Sequence, residues 1–409
     1  MARMQAWRWV PVAMLLAMGG TAAGQAGDLA IQSFDGTGRL SFNEVSTALT
    51  YRVEWAPSPA GPWTNTWQAL ARIAAYGAGS ITCSVPMCYR VVAVVPTNMY
   101  LVVDLSGGTS AVSYAVTYLT AVPPGGWTDE HKTTKLVLRR IPATTPDFTM
   151  GSPSGELGRE PWDPGSETQR QVTLTSDFYI GVFEVTQRQW ELVMGNKPSY
   201  FNNATYYATR PVEQVSYYDI RENPANSDDP AVNWPANSAV NANSFMGKLR
   251  GKTGLSGFDL PTESQWEYAC RAGTTTALNS GYNLTSTSQD ARMDAVGRYW
   301  FNGPSTVGYE QSVGTDGGTA KAGSYLANQW GLYDMHGNVW EWCLDWYATN
   351  PGGVTDPPGA SSESSRVDRG GCWNGNADRC RSALRSYSGP GDRISFVGFR
   401  AALAPPGQP

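Results

Sequence analysis

Forty-four glycines share one chain with 16 Trp and 20 Tyr, and this pairing limits the fold more than any other feature. Glycine opens backbone conformations that other residues avoid and weakens helix interiors. Each buried ring, in turn, removes a large apolar area from water. Such a chain suits turns and irregular loops pinned by large rings rather than a helical bundle. Length adds a second constraint, since 409 residues fit two domains better than one. Hydrophobic residues at 41% supply real cores, while 16% charged residues and a net charge of −5 exclude a disordered solvating chain and a basic nucleic-acid binder. Only two histidines are present, so a three-His zinc site is impossible.

Residues 1–26 read as a secretory signal. Arg3 and Arg8 make the positive start, Val10 to Met18 an apolar run interrupted by Pro11, and Thr21, Ala22, Ala23, Gly24 and Ala26 a small-residue cleavage region. A retained anchor is the alternative reading of the same residues. No later stretch approaches the about 18 to 20 apolar residues that cross a bilayer. The mature chain is therefore expected to be secreted or periplasmic, without a membrane span, monomeric, and in a compartment that permits disulfides.

From 27 to 125 the pattern has period two and is rich in β-branched and aromatic residues, as in Tyr51-Arg52-Val53-Glu54-Trp55, Tyr89 to Val95 and Tyr114-Ala115-Val116-Thr117-Tyr118. Turn clusters separate these runs, which predicts a small all-β, sandwich-like domain. Cys83 and Cys88 form either a small-loop disulfide or two buried thiols. Pro123-Pro124-Gly125-Gly126 leads into a linker over 126–133, where His131 is expected to be solvated.

Beyond the linker, helix signals appear. Thr186 with Gln189, and Thr262 with Gln265, make capping boxes ahead of apolar faces, and Gly195 and Gly273 stop the two helices. A third helix is predicted from Ala239 to Arg250. Seven segments then occur in order: Phe148-Thr149-Met150-Gly151-Ser152, Glu184-Val185-Thr186, Arg210-Pro211-Val212-Glu213, Leu260 to Ala269, Gly331 to Trp342, Arg369-Gly370-Gly371 and Gly398-Phe399-Arg400. Together they resemble the formylglycine-generating enzyme, or sulfatase-modifying factor, family over residues 134–404. The resemblance implies a single α+β domain with an irregular, C-type-lectin-like fold.

Asp334 and Glu341 flank a loop in which Gly337 and Asn338 allow unusual backbone geometry. Two carboxylates with inward carbonyls suit a hard cation, or else they satisfy backbone amides in a turn. The resemblance implies calcium at Asp334, Gly337, Val339 and Glu341, with Asp334 standing where the enzyme carries Asn. His336, in the same loop, is expected to be a hydrogen-bonded structural imidazole. A second family calcium site falls on Asn302, Gly303, Asp316 and Gly318, of which only Asn302 and Asp316 offer side-chain oxygens. Solvated loop polars are the competing reading there.

The family enzymes use O₂ to oxidise a sulfatase cysteine to formylglycine, with two thiols spaced five apart holding Cu(I), a metal that soft thiolates select. In this chain Cys380 matches the second thiol, and the first position is Gly375. Cys372 stands where the family has Ser. Three readings of the thiols compete: a shifted copper pair of Cys372 and Cys380, disulfides among Cys270, Cys343, Cys372 and Cys380, and buried free thiols. Trp373, Arg379, Arg381 and Arg385 either line a groove for peptide or sugar or form salt bridges across the loops. Two functions follow. One is a divergent member that binds a protein, peptide or glycan without complete copper chemistry. The other is a copper-dependent oxidase acting on a sulfatase. A Ser-nucleophile hydrolase has no recognisable partner motif around either histidine.

Overall fold

The computed structural model describes four strands between residues 31 and 94, and residues 98–404 apart from 145–146, 160–165, 226, 304–317 and 349–353. The signal-like segment 1–26, Cys83 and the side chain of Cys88 lie outside the described residues. The chain divides into two compact units, residues 1–97 and 98–409. In the first, β1 (Ile31–Phe34) pairs antiparallel with β2 (Leu40–Phe42), and β3 (Thr50–Ala56) with β4 (Cys88–Val94). The two period-two runs at Tyr51 and Tyr89 are thus partners, in register from Thr50 opposite Val94 to Ala56 opposite Cys88.

The second unit contains β5 (Tyr100–Asp104), β6 (Ala115–Leu119), α1 (Glu130–Thr133), β7 (Lys135–Ile141), β8 (Phe148–Met150), β9 (Arg170–Val172) and β10 (Phe178–Gly181). Next come α2 (Gln187–Met194), α3 (Tyr217–Arg221), α4 (Phe245–Thr253), β11 (Phe258–Asp259), α5 (Glu263–Arg271) and α6 (Ala291–Val296). The chain ends with β12 (Trp340–Trp346), β13 (Arg366–Arg369), β14 (Arg385–Ser388), β15 (Val397–Gly398) and β16 (Ala402–Leu403). Six strands form one sheet in the order β11-β16-β10-β7-β5-β6, and four form another in the order β14-β13-β12-β15. The architecture is α+β, as expected.

The expected boundary at 125 is corrected. Strands β5 and β6 do not belong with the N-terminal strands: β5 pairs with β7, from Tyr100 opposite Arg139 to Asp104 opposite Lys135, and β6 continues that sheet. Period two identifies a strand but not its partner, so the pattern could not assign these two. The expected linker 126–133 is likewise no linker, because it holds α1, with His131 and Lys132 both buried.

Capping proved more exact. Thr186 and Thr262 each close a capping box with Gln189 and Gln265, and Gly195 takes the left-handed conformation that ends α2. Helix α5 ends one residue early, on left-handed Ala272. Helix α4 starts at Phe245 rather than Ala239, because the Ser244 hydroxyl caps it by accepting from Gly247 N.

Pleating sends alternate residues of the larger sheet into two cores. Leu101, Val103, Leu136 and Leu138 meet Trp190, Phe245 and Phe399, while Ile141, Phe178 and Ile180 meet Trp266, Leu332 and Met335. Truncating one such Trp to Ala costs roughly 3–5 kcal/mol, so the rings pin loops that have little ladder bonding of their own.

Candidate functional site

The loop from Asp334 to Glu341 is built by left-handed residues: Asp334, Gly337 and Asn338 have φ of 56°, 78° and 65°. A Cβ at Gly337 would run into the Arg298 carbonyl, so only glycine fits there. Asn338 locks the turn, accepting from Ala320 N at 2.8 Å and donating to Glu184 Oε2 at 2.6 Å. Glu184 Oε1 also accepts from Val339 N at 3.3 Å. On the next strand Glu341 is fully engaged, with Oε2 accepting from Trp266 Nε1 and Arg400 Nε at 2.6 Å each and Oε1 from Arg400 Nη2.

Asp334 is only half satisfied. Its Oδ2 accepts from Gly323 N at 2.6 Å, while Oδ1 is buried without a hydrogen bond. Glu184, Asp334 and Glu341 are all buried, and the cations in their field are Arg400 and Lys132. Burial, then the neighbouring Asp334 and Glu341, hold Glu184 well above the usual carboxylate range. Burial likewise pushes Asp334 up to about 6. An orphaned oxygen and surplus negative charge fit one further cation. Among the described residues no three His, Cys, Asp or Glu side chains converge on a metal position, so calcium here would depend on the Gly337 and Val339 carbonyls beside Asp334 and Glu341.

His336 is the structural imidazole expected. Its Nδ1 donates to Cys380 O at 2.6 Å, and Nε2 accepts from Asn279 N at 3.0 Å, a tautomer assigned from these partners. Burial lowers its pKa to about 4. Asn302 is also structural, since Oδ1 accepts from Tyr299 N at 2.9 Å and Nδ2 donates to Gly297 O at 2.8 Å. Asp316, its expected partner in a second calcium site, lies outside the described residues.

The segment from Cys372 to Arg385 resolves the competing readings of its thiols and arginines. Cys270, Cys343, Cys372 and Cys380 are all buried free thiols, so the disulfide reading is set aside. Cys372 Sγ donates to Asn374 Oδ1 at 2.9 Å, and Cys380 Sγ to Asn376 O at 3.7 Å. Burial pushes the Cys372 thiol up to about 12 and holds Cys380 well above the usual thiol range, with Cys372 adding to the field there. Neither is poised as a thiolate. A Cβ built on Gly375 would lie 3.2 Å from Arg379 Cβ and 3.4 Å from Cys372 O, so a side chain there needs only a small shift.

Two of the expected groove residues are corrected. Arg381 is buried against Glu156 and Glu167, and Arg385 against Glu263. Their partners lie as far as 225 residues away in the chain, which is why the sequence could not show them. Arg379 is half-buried beside Gly375. Trp373 does stand at a surface: half-buried, it donates Nε1 to Ser395 O at 3.0 Å. Its ring meets Phe201 edge-on at 5.2 Å, and Phe201 meets Tyr200 edge-on at 5.0 Å.

Tyr200 is 68% exposed, and Trp300, whose N donates to Gly375 O at 2.9 Å, is 46% exposed. Sequence reasoning missed Tyr200, Phe201 and Trp300. It also missed Glu213, which holds the first two: Oε1 accepts from Phe201 N at 2.9 Å and Oε2 from Tyr200 N at 3.1 Å. The available signal was Glu213 at the end of the Arg210-Pro211-Val212-Glu213 segment.

Comparison with known proteins agrees with this architecture. Residues 140–405 match the sulfatase-modifying factor enzyme 1-like domain. The chaperone protein LppX of Paenibacillus barcinonensis is 34% identical over 224 residues, covering 51% of this chain and 73% of that one. The formylglycine-generating enzyme of Mus musculus is 27% identical over 301 residues, covering 64% of this chain and 74% of that one. Among solved structures, Treponema denticola variable protein 1 superposes with a TM-score of 0.50 at 28% identity, over 66% of this chain and 96% of that one. Among the described residues no helix is long and apolar enough to cross a membrane. With its order of motifs, its α+β architecture and a matched domain covering well over half its length, the chain belongs to the sulfatase-modifying factor enzyme 1-like family.

Proposed function

We propose that this chain is an exported, divergent family member that binds a polypeptide and has lost the copper oxidation chemistry. The observation that carries this reading is the run of rings Tyr200, Phe201 and Trp373, presented close in sequence to Gly375, where the family's first copper thiol is replaced by a hydrogen atom. Exposed aromatic rings on a rigid frame are efficient anchors for a ligand. Cys372 and Cys380, both buried and protonated, leave no preformed pair of thiolates. The similarity to a protein named a chaperone supports a polypeptide rather than a glycan as the ligand. Calcium at Asp334, Gly337, Val339 and Glu341 has a structural role in this reading, neutralising the acidic cluster behind the loop.

A copper-dependent oxidase acting on a sulfatase is the second reading, favoured by Cys372 and Cys380 sharing one electrostatic environment. Those two residues would hold copper, which supplies the activation of O₂. One experiment separates the two. The purified chain, reduced and loaded with Cu(I), is incubated with a Cys-x-Pro-x-Arg peptide for mass spectrometry and, in parallel, applied to an immobilised peptide library. Peptide capture that is lost in Trp373→Ala, with no aldehyde formed, is the expected result. Aldehyde that disappears in Cys380→Ala would overturn the binding reading. Gly375→Cys refines the test: two thiols five residues apart should raise Cu(I) affinity by at least tenfold if the missing side chain is what removed the metal.

A further inference from the structure

Arg221, Arg271, Arg369, Arg381, Arg385 and Arg400 each bury a guanidinium against a carboxylate. Arg139, on β7, is treated differently. It is half-buried and opposite Tyr100 in the ladder. Its Nη1 donates to the Tyr100 hydroxyl at 3.0 Å, and its guanidinium carbon lies 5.6 Å from that ring's centre. Among the described residues no carboxylate bonds to it. Its Nε is buried with no hydrogen bond, and Nη2 has none among the described residues either. Burial lowers the Arg139 pKa, and Tyr100 alone opposes that.

The unused Nε–Nη2 edge is the side of a guanidinium that matches the two oxygens of a carboxylate in a bidentate fork. A rigid wall stands nearby. Trp127 packs edge-on against Tyr100 at 5.1 Å and against His131 at 5.0 Å, and His131 Nδ1 is fixed by Thr128 N at 3.2 Å. Gly331 leaves Nη1 uncovered, since a Cβ there would sit 3.4 Å from it. An arginine left half-desolvated without a counter-charge, in a chain that pairs its other buried arginines, is incomplete without an anion.

We propose that the Nε–Nη2 edge of Arg139 receives the carboxylate of a ligand, with Tyr100 as the positioning residue that aims the fork. A carboxylate is preferred to a phosphate because one guanidinium balances a monoanion, whereas a dianion would leave surplus negative charge in a half-buried place. The carboxylate has two sources of the same chemistry, a polypeptide C-terminus or an acidic sugar. This site is separate from the ring surface around Trp373 and does not depend on the function proposed for it.

The test uses the full chain labelled with ¹⁵N-arginine. The Arg139 Nε–Hε signal is assigned by its loss in Arg139→Lys, a variant that keeps the charge and removes the fork. Sodium acetate is titrated against sodium chloride at equal ionic strength, followed by glucuronate and by a tripeptide with a free or an amidated C-terminus. The Arg139 signal is expected to move saturably with acetate and not with chloride. Tyr100→Phe, which leaves the guanidinium in place, should weaken that response about fivefold to tenfold, the weight of one hydrogen bond. Tighter binding of glucuronate than of acetate assigns the sugar, and tighter binding of the free-ended tripeptide than of its amide assigns the chain terminus. An Arg139 signal that acetate moves no more than chloride does overturns the proposal.

Discussion

Glu341 and Glu213 are carboxylates of nearly equal burial, 1% and 0% exposed, yet the protein holds them in opposite ways. Glu341 is clamped by the Arg400 guanidinium and the Trp266 indole. Glu213 is held by the backbone N–H groups of Tyr200 and Phe201, with Arg210 only adding to its field. Burial pushes Glu213 up to about 7. The first arrangement fixes a loop whose residues match the family's calcium set. The second fixes an exposed pair of rings at a surface that sequence reading did not find. The lesson is a division of labour: the paired charge belongs to the scaffold, and the backbone-held carboxylate positions the part of the molecule that meets a partner.

Breaking the clamp should give the largest effect. Arg400→Leu leaves Glu341 buried beside Glu184 and Asp334 with its main counter-charge gone, which costs about 3–5 kcal/mol. Urea unfolding measures this, and a loss below about 1 kcal/mol would show that the pair is not what holds the loop. The double change of Arg400→Leu with Glu341→Leu should recover part of the loss, because the uncompensated charge is removed as well.

Glu213 supplies the next effect, of opposite character. Its folded pKa lies above its ordinary value of 4.5, so the folded state binds the proton more tightly than the unfolded chain does. The associated stability is therefore complete below about pH 4.5, declines as pH rises toward 7, and is flat above that. A shift of this size corresponds to roughly 3 kcal/mol. Asp334, Asp345 and Asp368 are also raised, to about 6, 7 and 6, and they tilt the same window. The informative quantity is thus the difference between the wild type and Glu213→Gln across pH 4.5 to 8. A difference that does not change with pH would remove Glu213 from this account.

Calcium sharpens the comparison from the other side. If Asp334 Oδ1 takes a cation, calcium at 100 times its dissociation constant stabilises the chain by about 2.7 kcal/mol. Asp334→Ala should abolish that response while Glu213→Gln leaves it unchanged. A melting temperature indifferent to both calcium and chelator would return the loop to a purely structural turn.

What could be read in advance follows the range of the interactions involved. The capping boxes of α2 and α5 were legible because a cap is three residues long, and the Asp334–Glu341 loop was legible because one short segment contains it. The placement of β5 and β6 was not, since pairing Tyr100 with Arg139 joins positions 39 apart and period two is blind to partners. Arg381 and Arg385 looked like groove residues because their carboxylates are distant in the chain, and an unpaired arginine in sequence is indistinguishable from a paired one. The Gly375 vacancy could be read by counting. Whether a side chain would fit there required coordinates.

The smallest expected change in stability is at the ring surface, and it separates the two regions most cleanly. Tyr200 is 68% exposed and touches the scaffold through its edge-on contact with Phe201 and its backbone bond to Glu213. Tyr200→Ala keeps that backbone bond, so its effect on unfolding should stay within about 0.5 kcal/mol, as for surface positions generally. If the rings are the polypeptide anchors, the same change should weaken capture of a library-selected peptide by tenfold or more, in the range of a hot-spot residue. Glu213→Gln should weaken it less, because it loosens the rings without removing them. Stability and binding would then move independently at Tyr200 and together at Arg400. A Tyr200→Ala variant that binds as well as the wild type would place the ligand elsewhere and leave Glu213 as one more buried acid of the scaffold.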